Sequence, residues 1–278
     1  MIIDGKALSA KLRAEMKEEV AALKAEGKTV GLAVILVGDD PASRVYVRNK
    51  IKACEELGIK SFECRYNDDI DEDTLIAKIE ELNGNPEVNG ILCQLPLPKH
   101  LNEKKILAHI DTAKDVDGFS AEQTGLLCLG TPDLVPCTPL GIIELIKSTG
   151  TEIAGKDAVI IGRSNIVGKP MFSLLLRENA TVTVCHSKTR NLPEICARAD
   201  ILVAAIGRAK FVTADMVKDG AVVIDVGINR NDEGKLVGDV DFDNVKDKCS
   251  FITPVPGGVG PMTITMLMKN TINAAKRC

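Results

Sequence analysis

Lys50 stands where a helix should be apolar. The segment Ser43-Arg44-Val45-Tyr46-Val47-Arg48-Asn49-Lys50-Ile51 reads as helix, and Tyr46 and Lys50, four residues apart, share a face. That stripe continues through Ala53 to Leu57, with Val47, Ile51 and Cys54 beside it. A lysine on such a face either snorkels to water or stays partly desolvated, which lowers its pKa and makes it usable as a base. Two other stretches could supply partners. Residues 88–93 read as a buried strand, and Gln94-Leu95-Pro96-Leu97-Pro98 follows directly. Gln94 therefore falls at a strand's C-terminal end, where α/β folds place ligands. Its amide could hold a neutral amine or merely cap the strand. Lys114-Asp115-Val116-Asp117-Gly118 reads as a polar turn. Its carboxylates could bind the N–H groups of a heterocycle, or stand in solvent as an ordinary Asp-Gly turn.

A second group has phosphate chemistry. In Val159-Ile160-Ile161-Gly162-Arg163-Ser164-Asn165-Ile166-Val167-Gly168-Lys169-Pro170 a buried strand ends at a glycine and a second glycine opens a helix. Backbone N–H groups and the helix dipole can hold phosphate oxygens there. The spacing is not G-x-G-x-x-G, because Ser164 takes the middle slot, and Pro170 stands where a Walker loop has its magnesium-binding hydroxyl. A tight strand-to-helix turn is the competing reading. At the next strand end the chain runs Val184-Cys185-His186-Ser187-Lys188-Thr189-Arg190, with hydroxyls and cations and no acid. An acid there favours NAD, so its replacement favours NADP, against a merely solvated basic turn. Finally, Pro254-Val255-Pro256-Gly257-Gly258-Val259-Gly260-Pro261-Met262-Thr263 permits close backbone approach to a planar ligand, and Pro261 suits a helix start.

The elements that must position these residues alternate along the chain. Helices are expected over 8–26, from Pro41 to about Leu57, and over 73–82, 139–147, 167–178, 192–198 and 261–276. Strands are expected over 30–37, 59–66, 88–93, 157–161, 181–185, 201–205 and 221–226. The apolar runs are short, continuous and β-branched, as in parallel strands buried on both faces. Repeated strand-helix-strand units imply an α/β fold of two α/β domains, the second a Rossmann-like, doubly wound parallel sheet. The stretch 110–138, rich in Gly, Asp, Thr and Pro, is taken as the boundary. The domains are then 1–120, completed by a returning C-terminal helix 261–278, and 139–260.

Composition narrows the function classes. The 278 residues suggest two domains, and a net charge of −4 leaves no electrostatic footprint for nucleic acid or an anionic membrane. No apolar run is long enough for a membrane span, and Met1-Ile2-Ile3-Asp4-Gly5 does not open a secretory signal, so a cytoplasmic location is expected. Nine cysteines include no C-x-x-C pair, and their odd number suits reduced thiols better than staples. With three histidines a His-rich metal site is not expected.

Together these stretches resemble the bifunctional methylenetetrahydrofolate dehydrogenase/methenyltetrahydrofolate cyclohydrolase (FolD) family. The matching pieces are Tyr46 to Lys50, Gln94 to Pro98, Lys114 to Gly118, Gly162 to Pro170 and Pro254 to Thr263, in the family's order and across nearly the whole chain. The resemblance implies that NADP⁺ takes a hydride from methylenetetrahydrofolate and that water then opens the methenyl cation to formyltetrahydrofolate. It implies Lys50 as the key catalytic group, Gln94 orienting it, Tyr46 along the folate and Asp117 on the pterin. Ser43, Leu95, Pro96, Pro256, Gly257, Gly258 and Gly260 would line the substrate pocket, set in a cleft between the domains. Gly162, Arg163, Ser164, Gly168, Ser187 and Ile228 would contact the dinucleotide. A homodimer and a place in one-carbon metabolism and purine biosynthesis come with it. The chemistry agrees: a neutral lysine suits the neighbourhood of a cation better than an ammonium, and no metal is needed because the imidazolinium carbon is already electrophilic. A dehydrogenase-only relative and a non-catalytic dinucleotide-binding regulator are the competing readings.

Overall fold

The computed structural model describes residues 1–231 and 233–277. The chain divides into two compact units. One comprises Lys11–Cys137 with Ile264–Cys278, the other Met1–Ala10 with Thr138–Thr263.

The Lys11–Cys137 unit is built on a three-stranded parallel sheet in the order β2-β1-β3, with β1 Gly31–Val37, β2 Lys60–Tyr66 and β3 Gly90–Cys93. All seven residues of β1 are buried, which is why Gly-Leu-Ala-Val-Ile-Leu-Val has no polar alternation. The helices are α1 (Gly5–Ala25), α2 (Pro41–Leu57), α3 (Glu72–Gly84), α4 (Glu103–Leu107) and α5 (Ala121–Cys128). Asp40 caps α2 by accepting from the Ser43 N–H (2.8 Å), Pro41 occupies its first turn, and Gly58 ends it in the left-handed region. Leu75, Ile79 and Leu82 of α3 pack with Ala33, Ile35 and Ile91 in one core.

The other unit has a five-stranded parallel sheet, β10-β7-β6-β4-β5. Its strands are β4 Asp157–Ile161, β5 Thr181–Cys185, β6 Ile201–Ala204, β7 Val222–Asp225 and β10 Phe251–Ile252. A two-stranded antiparallel hairpin pairs β8 (Asn229–Arg230) with β9 (Leu236–Val237). The helices are α6 (Cys137–Ser148), α7 (Gly168–Arg177), α8 (Leu192–Cys196), α9 (Phe242–Val245) and α10 (Val259–Arg277). From Ile264 onward α10 belongs with the Lys50 unit, as expected of a returning helix: Cys54 lies against Met268, and Arg13 Nε donates to Thr265 Oγ1 (3.1 Å).

Several expectations shift. Residues 1–10 group with the five-stranded sheet, because Ile2 bridges Ile252 and the Ile3 N–H donates to the Ile252 carbonyl (2.8 Å). The stretch 110–138, taken as the boundary, carries α5, N-capped by Ser120, and falls up to Cys137 in the Lys50 unit. The edge strands β2 and β5 are not buried on both faces but alternate. The last helix begins at Val259 rather than Pro261. No helix among the described residues is long and apolar enough to cross a membrane.

Candidate active site

In each sheet the strand order reverses at one interior strand, and that is where the chemistry-bearing residues gather. In the three-stranded sheet the chain leaves β1 for β2 on one side and later returns to β3 on the other. Such a switch point opens a crevice at the strands' C-terminal ends. α2 follows β1, and Gln94 follows β3, its N–H still donating to the Ile35 carbonyl of β1 (2.9 Å).

Lys50 does not snorkel. It lies in the buried stripe Ser43, Val47, Lys50, Cys54 and Leu57 of α2, and it is 9% exposed. Its Nζ donates to Gln94 Oε1 at 2.9 Å. Gln94 Nε2 donates in turn to the Leu95 carbonyl (2.7 Å), so the amide presents its oxygen to the lysine. Burial pushes the Lys50 pKa down, and the nearby Asp117 and Cys137 partly oppose that. Tyr46 is half-buried, and burial pushes its phenol up. Leu95 is partly buried and Pro96 exposed, joined by a cis peptide bond.

The turn around Asp117 divides its labour. Lys114 Nζ donates to the carbonyls of Leu82 (3.3 Å), Asn83 (2.7 Å) and Asn85 (2.9 Å) at the end of α3. Asp115 bridges to Ile91 of β3, and its buried carboxylate accepts from the N–H groups of Gly118 (3.1 Å) and Ser120 (2.7 Å). Of the two carboxylates, Asp115 is thus spent on folding the turn, which narrows the expectation that both could meet a ligand. Asp117 is the one whose charge acts on Lys50. Burial raises its pKa to about 6, against the pull of Lys50.

Two residues of this site escaped the sequence reading. Asn270 of α10, 2% exposed, donates from Nδ2 to the carbonyls of Val116 and Val135, both at 2.8 Å. Cys137 donates from Sγ to the Val116 carbonyl (3.3 Å), and burial raises its thiol pKa well above the ordinary range. Asn270 carried the same signal as Lys50, a polar residue among Leu267, Met268 and Ile272 on an apolar helix.

In the five-stranded sheet the reversal falls at β4, flanked by β5 and β6. Gly162, φ +127, follows β4, and a side chain there would strike the Ala205 carbonyl. A side chain at Gly168 would strike the Gly162 carbonyl. Ser164 Oγ accepts from the N–H groups of Val167 (3.2 Å) and Gly168 (3.4 Å), so the serine in the middle slot ties the loop to the start of α7. After β5, His186 and Thr189 close a tight turn that leaves Ser187, Lys188 and Arg190 exposed. None of Arg163, Lys188 and Arg190 makes an ion pair with a described residue. Ile228, on the loop after β7, is 51% exposed. Pro256 is exposed, Gly257 and Gly260 partly so, and Gly258 buried; all four belong to this unit.

The structure therefore gathers Ser43, Tyr46, Lys50, Gln94, Leu95, Pro96 and Asp117 in one unit. Gly162, Arg163, Ser164, Gly168, Ser187, Ile228 and Pro256 to Gly260 lie in the other. Among the described residues no His, Cys, Asp and Glu cluster has the makings of a metal site.

A Rossmann-like sheet with a glycine-bounded loop at its switch point, joined to a second α/β unit holding a desolvated lysine, defines the class: a dinucleotide-dependent α/β enzyme. Comparison with known proteins makes it specific. Residues 3–117 match the model of the tetrahydrofolate dehydrogenase/cyclohydrolase catalytic domain, and residues 136–278 match that of its NAD(P)-binding domain. The bifunctional protein FolD of Agathobacter rectalis is 60% identical over 99% of each chain. The crystal structure of the bifunctional enzyme FolD from Campylobacter jejuni is 53% identical and superimposes with a TM-score of 0.98, covering 100% of this chain and 99% of that one. The Trypanosoma brucei enzyme, solved with NADP cofactor and an inhibitor, is 38% identical with a TM-score of 0.95 over 100% and 97% of the two chains. The chain belongs to the tetrahydrofolate dehydrogenase/cyclohydrolase family.

Proposed function

We propose that this protein oxidises 5,10-methylenetetrahydrofolate with NADP⁺ and hydrolyses the methenyl product to 10-formyltetrahydrofolate. The observation that carries the reading is the buried Lys50 amine, held by Gln94 Oε1 at 2.9 Å and acted on by the charge of Asp117. A lysine whose pKa is pushed down can stand neutral beside the methenyl cation, where an ammonium would be repelled. As a neutral amine it can take a proton from the attacking water as the C–O bond forms. Gln94 fixes where that amine points. Asp117 would hold the pterin N–H groups, Tyr46 would pack along the folate, and Ser43, Leu95 and Pro96 would line the folate pocket. The unit of Lys11–Cys137 with Ile264–Cys278 serves as the folate-binding catalytic domain, and the unit of Met1–Ala10 with Thr138–Thr263 as the NADP-binding domain.

The residues of the five-stranded sheet fit a dinucleotide. Gly162 and Gly168 lie where a side chain would collide with backbone, and Arg163, Lys188 and Arg190 are cations without carboxylate partners among the described residues. Gly162, Arg163, Ser164 and Gly168 would hold the pyrophosphate. Ser187, beside the two cations, would read the ribose phosphate that separates NADP from NAD, and Ile228 would lie on the rings. When bound, the nicotinamide supplies the hydride acceptor. The protein supplies proximity and orientation. The reaction belongs to one-carbon metabolism and feeds purine biosynthesis, in a cytoplasmic homodimer.

The test is a steady-state assay with methylenetetrahydrofolate and either NADP⁺ or NAD⁺, following reduced nicotinamide and the methenyl compound separately. Turnover preferring NADP⁺, with accelerated loss of supplied methenyl compound, is expected. Turnover without accelerated hydration would leave a dehydrogenase only. Tight NADP⁺ binding with no turnover would leave a regulator.

A further inference from the structure

Two buried carboxylates remain without a role. Asp225 ends β7 and is 2% exposed, and Asp239, just after β9, is 0% exposed. Burying a carboxylate is costly unless its lone pairs are met. Those of Asp239 are met by four donors, three on the loop after β6 and one at the start of β8. Oδ2 accepts from the N–H groups of Ile206 (2.7 Å) and Gly207 (3.0 Å), and Oδ1 from the Arg208 N–H (2.8 Å) and Asn229 Nδ2 (2.9 Å). Asp225 holds Asp239 in turn, accepting from the N–H groups of Asp239 (2.8 Å), Val240 (3.0 Å) and Gly227 (3.0 Å).

The neighbouring glycines make room for this pair. A side chain at Gly227 would strike the Asp239 carboxylate, and one at Gly238 would strike that of Asp225. The loops so tied are those leaving β6 and β7 at the C-terminal edge of the parallel sheet. The first begins at Ala205, whose carbonyl packs against Gly162. The second carries Ile228.

We infer that Asp239 is a positioning residue for dinucleotide binding, setting the loops after β6 and β7 through their N–H groups, with Asp225 as its anchor. The inference rests on the dinucleotide reading above. Three successive N–H groups converging on one carboxylate fix the path of the chain from Ile206 to Arg208. Asn229 ties the β7 loop to the same point. A neutral amide cannot substitute. Both oxygens of Asp239 accept N–H bonds, so an asparagine in either orientation would turn its own NH2 toward a donor.

The experiment compares wild type, Asp239→Asn and Asn229→Ala. NADP⁺ affinity is measured by titration, KM and kcat by the oxidation assay, and hydrolysis with supplied methenyltetrahydrofolate, which consumes no dinucleotide. Asp239→Asn should raise the Kd and KM for NADP⁺ about tenfold or more while hydrolysis keeps its wild-type rate, and Asn229→Ala should raise them about threefold. An unchanged NADP⁺ Kd in Asp239→Asn overturns the inference. So does parallel loss of hydrolysis and dinucleotide binding in a folded protein, since that marks general support of the fold. If Asp239→Asn does not fold, Asn229→Ala decides, and an unchanged Kd there overturns it. Failure of wild type to bind either dinucleotide would instead strike the underlying reading.

Discussion

The pocket around Lys50 and the rim of the five-stranded sheet solve different problems with different parts. At Lys50 the working atoms belong to side chains, and their properties come from burial and from each other: Gln94 aims the amine, burial pushes it toward neutrality, and Asp117 pulls the other way. At the rim the structure is set by main chain. Gly162 and Gly168 allow backbone to touch backbone, and Ser164 and Asp239 accept from loop N–H groups. Proton chemistry needs a tunable group, whereas binding a flat, phosphate-bearing molecule needs a fixed contour. Substitutions in the first region should therefore move rates and pH profiles, and those in the second should move cofactor affinity and stability.

The largest effect is expected at Lys50. Lys50→Met should lower hydration by about 10²- to 10⁴-fold, the usual worth of a positioned acid–base group, while NADP⁺ affinity stays near wild type. An assay of supplied methenyltetrahydrofolate beside a cofactor titration measures both, and equal loss of cofactor binding would erase the contrast. At the rim, Gly162→Ala should cost about 3 kcal/mol of stability, because the added methyl meets the Ala205 carbonyl at a positive φ. NADP⁺ binding should weaken with it. A denaturant melt and a cofactor titration test that, and the pH profile of hydration should not move. Gln94→Glu then sharpens the first region alone. It places a carboxylate beside the Lys50 amine, which raises the lysine pKa. Hydration near neutral pH should fall about tenfold and its rise should shift to higher pH, with NADP⁺ affinity unchanged. A profile that did not shift would mean that the neutral lysine is not what the rate follows.

The two regions also differed in how far the sequence revealed them. α2 was legible at both ends because its signals are local: Asp40-Pro41 caps it and Gly58 stops it. The bounds of β4 and β5 were equally plain. Lys50 was visible as a charge in an apolar stripe, but whether it snorkels depended on Gln94, a partner distant in the chain. Elements too short to show a period, such as α4, α5 and the β8–β9 hairpin, left no pattern to read. Asp225 and Asp239 were illegible for a related reason. Asp225 falls inside an expected strand and Asp239 looks like a loop carboxylate, and only the tertiary fold brings Ile206 to Arg208 onto Asp239.

Asp117 offers the finest test, because its effects are small and of known sign. Its charge raises the Lys50 pKa against the effect of burial. In Asp117→Asn the lysine should therefore deprotonate at lower pH, and the rise of hydration should begin earlier, although loss of a pterin contact should raise KM for the folate about threefold. Asp117 also leaves a mark on stability. Its pKa is about 6 in the fold against 3.8 as the ordinary value, because burial disfavours the carboxylate. The folded protein then binds more protons than the unfolded chain between those values. The contribution is fully present below the lower value and is lost as pH rises through about 6. Denaturant melts across that window should show a slope in wild type that is shallower in Asp117→Asn. Identical slopes would mean that Asp117 titrates as an ordinary surface acid, and the pocket would then lose the desolvation that sets Lys50 apart from the sheet rim.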